Sequence, residues 1–240
     1  LDLGLLDTYQ AFTGVGAVTN HGEVFDGDAG THNGIISGAG FLASNGYTGT
    51  LAQSLSQLAF DAKQNLILLY IHVSDVPVSN THTPSFGGGE TLFPGVYSIG
   101  GAGSIAGTLI LDGQNDPNAF FIIKLEGALS VDASSSIFLS NGAQAANVYF
   151  VAEGPISVGA NSVIKGTLMS HPGAVSIGTD CDIEGRLFSS EGAITIGAGT
   201  VASKPKGVNN IPVNCVGSCD SIPALDVLGS VKKFALFTSY

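Results

Sequence analysis

The chain has 240 residues, with 8 Lys and Arg against 19 Asp and Glu and a formal net charge of −11. That balance argues against nucleic acid, which needs clustered cations to displace counterions, and against an anionic membrane surface. The mean hydropathy is high at +0.36, but the longest apolar run, LILLYIHV at 66–73, is far short of the ~20 residues of a spanning helix.

Charged residues make up 11% of the chain and Gly contributes 34 positions. An average globular chain is roughly 25% charged, so this surface must be built largely from Ser, Thr, Asn, Gln, Gly and Ala. No secretory leader is evident and the first residue is Leu, so a mature or excised piece is expected.

In chain order, the first strong signal is TGTLAQSLSQLAFDAKQNLILLYI, 48–71, which has no Pro and no Gly after Gly49. Leu51, Leu55, Leu58, Ala59, Ala62, Leu66 and Leu69 fall at helical spacing. A helix is predicted over about 50–71, with Thr50 and Gln53 as a capping box; another pair of strands is the alternative. Gly- and turn-bounded apolar segments then follow at 95–100, 107–113, 119–131 and 135–142.

From residue 154 a period emerges. GPISVGANSVIKGTLMSHP (154–172), GAVSIGTDCDIEGRLFSSE (173–191) and GAITIGAGTV (192–201) align at a step of 19. Gly154, Gly173 and Gly192 coincide, as do Ile156, Val175 and Ile194. The period-2 alternation inside each repeat is that of short half-buried strands. A fixed period near 20 predicts stacked coils, so the expected fold is mainly β: a parallel β-solenoid of three short sides per coil, with one long helix packed along it.

KPKGVNNIPVNCVGSCDSIPALD, 204–226, is rich in Pro, Gly and Asn and reads as a linker after a 1–203 domain. Within it Cys215 and Cys219 are spaced to bridge locally; free thiols are the other reading, and Cys181 is the only remaining cysteine. LGSVKKFALFTS (228–239) echoes LGLLDTYQAFTG (3–14). Residues 227–240 therefore read as the start of a following module, or as a strand given to a neighbouring copy.

FTGVGAVTNHG (12–22), GDAGTHNGIISGAGF (27–41), LFPGVYSI (92–99), GTLILDGQNDPNAFFIIKLEGAL (107–129) and LSNGAQAANVYFVAEG (139–154), with the helix between the second and third, occur in an order that resembles the ice-binding proteins of bacteria, fungi and diatoms. The resemblance covers roughly residues 3–203. It implies a right-handed, three-faced, discontinuous parallel β-solenoid with N-terminal strands and last coils together at one end, a helix on one of three faces, ice on another face and, in many members, secretion.

Ice binding requires a flat, rigid, weakly charged surface of small hydroxyl and methyl groups that order water. Ser157, Ser176 and Thr195 recur at the repeat step, with Ser130 and Ser98 in similar settings and Thr179 and Thr200 near the next corner. The same Ser and Thr also suit any outward solenoid surface. A second row, Lys165, Thr167 and Met169 stacked on Glu184, Arg186 and Phe188, reads as an outward face too bulky and charged for ice.

Enzyme signals are weak. Asp26 and Asp28, and Asp112 and Asp116, sit in turn-like contexts rather than full ligand sets. GAGSIAG (101–107) lacks the Lys of a phosphate loop, and the five His are scattered. No catalytic residue, metal or cofactor is assigned. The expectation is an extracellular, non-enzymatic ice-binding module whose partners are ice and ordered water, with neighbouring copies or modules reached through 227–240. The alternative is a structural or adhesive repeat of a cell-surface array or fibre.

Overall fold

The computed structural model describes residues 3–209, so Cys215, Cys219 and the expected module start at 227–240 lie outside the described residues. Each 19-residue repeat makes three strands. Ile156–Val158, Val163–Lys165 and Thr167–Ser170 are followed by Val175–Ile177, Asp182–Glu184 and Leu187–Ser189. Successive repeats pair in parallel, Ile156 with Val175 and then Ile194, Ile164 with Ile183, and Leu168 with Leu187. The repeat step thus becomes a strand spacing of about 4.8 Å. Three parallel sheets of nine, eight and seven strands result. They enclose a core of inward Leu, Ile, Val and Phe that includes Ile156, Val175, Ile194, Ile164, Ile183 and Leu187, each 0% exposed.

The corner at Gly166 and Gly185 shows why Gly repeats. Gly166 has φ of +116°, and a Cβ on Gly185 would lie 1.7 Å from the Gly166 carbonyl oxygen. Stacked backbones touch here, and no side chain fits between them.

The coil order is broken once. Tyr9–Thr13, from the start of the chain, lies between Leu187–Ser189 and Asp28–Thr31. Val18–Asn20 pairs with Ile194–Ile196, and Val24–Asp26 with Val201–Ser203. The first coil therefore stacks on the last, as the resemblance implied. Phe25, Phe41 and Tyr47 close that end, with ring centroids 5.1 to 6.0 Å apart.

The long helix, α1, spans Gln57–Asp75, not 50–71. Leu51–Ala52 instead adds a strand to the edge of the nine-stranded sheet, beside Ala29 and Gly30. Asp28 Oδ1 accepts from the Thr50 N–H at 2.7 Å, which commits Thr50 to that edge rather than to a capping box. The true cap is Ser56, whose Oγ accepts from Ala59 N–H at 3.2 Å. Leu55, at φ of 59°, turns outward and is 75% exposed. Pro77 holds Val76 extended and ends the helix, so His72 lies inside its last turn.

Ala59, Ala62, Leu66, Leu69 and Val73 form the buried stripe of α1. It packs on Tyr9, Phe12, Ile122, Tyr149, Met169 and Phe188, which point outward from the nine-stranded sheet and make a second core. This corrects the bulky second row. Met169 and Phe188 are 1% and 0% exposed, Thr167 and Arg186 are also buried, and only Lys165 and Glu184 lie on the outer side of the seven-stranded sheet. The row turns a corner at Gly166 and Gly185 and so belongs to two faces. Lys165 Nζ and Glu184 Oε2 are 3.2 Å apart, a pairing worth under about 1 kcal/mol near solvent.

Candidate functional site

Three faces are available, and α1 covers one of them. The seven-stranded sheet presents Asp26, Asp182, Glu184 and Lys165 together with Phe138, which is 57% exposed. Its relief and charge would disrupt an ordered water layer.

The eight-stranded sheet differs in kind. Its central outward position is a hydroxyl on every strand. In register order the ladder runs Ser85, Ser104, Ser130, Ser157, Ser176, Thr195, Thr19 and Ser37. Each is exposed or half-buried. The flanking residues of each strand point inward, as in Val175–Ile177, where Val175 and Ile177 are buried. Alternation thus aims one small polar group per coil at solvent.

The ladder's surroundings are mostly small, with Pro84, Pro155 and the exposed Ile35 as the exceptions before the strands. Ala102, Ala128, Ala174, Ala193 and Ala17 occupy positions before the strands, and Gly159, Gly178 and Gly197 positions after them. Charge is kept off the ladder itself but lies at both corners: Glu126, Glu153 and Glu191 each precede a strand by three residues, and Asp132, Asp180 and His21 follow one. Hydrogen bonds between coils stiffen both margins: Val175 N–H donates to Ala193 O at 2.9 Å, Ile194 N–H to Ala17 O at 2.8 Å, and Gly178 N–H to Val158 O at 2.8 Å. Within the ladder, Thr19 Oγ1 and Ser37 Oγ are 3.3 Å apart. The hydroxyls therefore repeat on a fixed lattice, about 4.8 Å per strand, near the repeat of oxygen positions in ice.

The structure brings Ser130, Ser157, Ser176 and Thr195 together as one row. Thr179 is exposed at the following corner. Thr200 is removed from the surface: it is 0% exposed, and its Oγ1 donates to Gly178 O at 3.0 Å and accepts from Cys181 N–H at 3.3 Å. Ser98 belongs to the nine-stranded sheet, beside Lys124 and Thr81.

Four ladder members, Ser85, Ser104, Thr19 and Ser37, went unread because they lie outside the 19-residue period. For Thr19 a signal existed. GAVTN (16–20) matches GAVSI (173–177) and GAITI (192–196), which would have extended the row.

The carboxylates near turns serve the backbone. Asp112 Oδ1 accepts from Gln114 N–H and Asp116 Oδ1 from Asn118 N–H, both at 2.8 Å. Among the described residues no group of three or more His, Cys, Asp or Glu is placed to hold a metal ion. Nor is any described helix long and apolar enough to cross a membrane.

A stack of parallel coils with one helix-covered face and one face of ordered hydroxyls defines a rigid surface-presenting scaffold. The chain belongs to the ice-binding-like family, whose model matches residues 2–202. It is 33% identical over 177 residues to ice-binding protein 1 of Shewanella frigidimarina, covering 70% of this chain and 19% of that protein. It is 36% identical over 83 residues to an ice-binding protein of Nostoc sp., covering 35% of this chain and 30% of that one. The matches thus span less than a third of those relatives. The fold is similar to the crystal structure of an ice-binding protein from an Antarctic Flavobacteriaceae bacterium, with TM-score 0.76 and 33% identity, covering 85% of this chain and 47% of that one. It is also similar to that of Antarctomyces psychrotrophicus, with TM-score 0.76 and 25% identity, covering 86% and 99%.

Proposed function

We propose that this chain is an extracellular, non-enzymatic module that adsorbs to ice through its eight-stranded sheet and restrains ice growth and recrystallisation. The observation that carries the reading is the in-register ladder from Ser85 to Ser37, one hydroxyl per strand flanked mostly by Ala and Gly. The names of its relatives supply the ligand. Such a face holds water by hydroxyl hydrogen bonds while its methyl and methylene groups exclude bulk solvent. The rigidity of the coils means little order remains to be imposed when the water layer joins the crystal. Thermal hysteresis and recrystallisation assays on the purified chain test this. Growth arrest at micromolar protein supports it, and unrestrained growth with a folded sample rejects it.

A second reading, an array of such units at a cell surface, is favoured by the tail echo. The echoed residues 3–14 contain Tyr9–Thr13, a strand of the nine-stranded sheet. Light scattering of the chain and of a 1–209 truncation tests the strand-exchange form of this reading. Concentration-dependent growth confined to the longer chain supports it, and two monomers reject it.

A further inference from the structure

The corner between the seven- and nine-stranded sheets departs from the acidity of the rest of the chain. Lys165, Arg186, Lys204 and Lys206 all lie there, half of the 8 basic residues in the sequence. Glu184 ties two of them in, meeting Lys165 Nζ at 3.2 Å and the Lys206 N–H at 3.1 Å. Arg186 and Lys204 line a cavity of about 200 Å³, walled also by Asp7, Ala146, Pro205 and Gly207.

Arg186 is 5% exposed. Its guanidinium donates from Nη2 to Asp7 Oδ1 at 2.8 Å and to Asp7 O at 3.2 Å, while Nε has no partner among the described residues. Burial pulls its pKa down, and the nearby Tyr149 and Asp7 act to raise it. The Asp7 side chain is 73% exposed, so this counter-charge stands at the rim rather than enclosing the cation. A guanidinium offers five donors in a planar fork, and a buried cation is costly until it is paired.

We propose that this cavity is a binding site for a small monocarboxylate, held between the Arg186 guanidinium and the Lys204 ammonium. Two cations against the Asp7 carboxylate leave one net positive charge, which suits a monoanion and disfavours a phosphate dianion. The planar fork favours carboxylate geometry. The volume is enough for a single sugar ring, so the acid group arrives either on a free organic acid or on a uronate.

Titration of the whole chain with sodium acetate, sodium glucuronate and glucose, followed by amide chemical shifts at constant ionic strength, tests the site. Saturable shifts centred on Asp7, Arg186 and Lys204 are expected with both carboxylates and not with glucose. Tighter binding of glucuronate assigns the uronate source, and equal binding assigns the free acid; either supports the site. Lys204→Met, at a half-buried position outside the core, should weaken binding about tenfold, the loss of one charge-assisted hydrogen bond. Arg186→Gln should abolish it, with circular dichroism confirming the fold. The proposal is overturned by the absence of saturable shifts, by equal response to glucose, or by undiminished binding in a folded Lys204→Met protein.

Discussion

Thr19 and Thr195 are register partners on adjacent parallel strands, although one lies near the start of the chain and the other in the last coil. The hydroxyl ladder therefore runs unbroken across the join between first and last coils, from Ser176 through Thr195 and Thr19 to Ser37.

Bulk placed at that point should destroy the flatness of the face. Ser176→Tyr combined with Thr195→Tyr is expected to reduce thermal hysteresis to background. Both positions are exposed, so stability should stay within about 1 kcal/mol of the parent. Retained hysteresis in the double variant would show that ice meets another face.

Phe188 lies register to register with Met169 beneath α1, each almost fully buried. Phe188→Ala removes a large side chain from a closely packed second core. A loss of about 3–5 kcal/mol in denaturant unfolding is expected. An effect below about 1 kcal/mol would mean that α1 contributes little to holding the coils.

Gly185→Ala tests the corner. The added methyl would meet the Gly166 carbonyl and displace stacked backbone. A cost of about 1–3 kcal/mol is expected. An exposed control, Ser157→Ala, should change stability by no more than about 0.5 kcal/mol.

Alkali should find a buried phenol. Burial pushes the Tyr149 hydroxyl up to about 12, against the opposing charge of Arg186 and a hydrogen bond from Asn209. An unfolded tyrosine titrates near 10. The folded protein therefore keeps a proton that the unfolded chain releases, so stability is intact below about pH 10 and falls towards pH 12. The contribution is of order 3 kcal/mol. Tyr149→Phe should flatten this loss measured by denaturant melts, and only partly, because burial and Asp28 also raise Tyr9 and Tyr47 to about 12. An unchanged alkaline slope in the variant would count against Tyr149 as its source.

The solenoid was legible where the sequence repeats itself. Gly166 and Gly185, or Ile156, Val175 and Ile194, carry their structural roles in their spacing. Ser157, Ser176 and Thr195 were legible for the same reason, and Ser130 from its similar setting in ALSV. Ser85 and Ser104 were not, because insertions such as 113–118 break the period before the regular coils begin. The helix start was misplaced because Leu51 and Leu55 fit a helical stripe by spacing alone, while a long-range pairing with Ala29 decides the conformation of Leu51. The row from Lys165 to Met169 misled because alternation does not reveal a turned corner. Nor does it say that a helix from elsewhere in the chain will cover Met169.

The position of α1 has a further consequence. At 1.5 Å per residue its 19 residues reach about 28 Å, close to six strand spacings of about 4.8 Å. It leaves the coil end built from residues 28–52 and delivers the chain to the opposite end, where Asn80–Thr81 starts the long run of coils. It is thus a tie-rod whose length is set by the height of the stack. Adding one 19-residue coil between Ser170 and Val175 would lengthen the hydroxyl row by one rung. It would also require about three more residues in the rod or its couplings. Within this architecture the length of the hydroxyl row and the length of the helix are coupled and must change together.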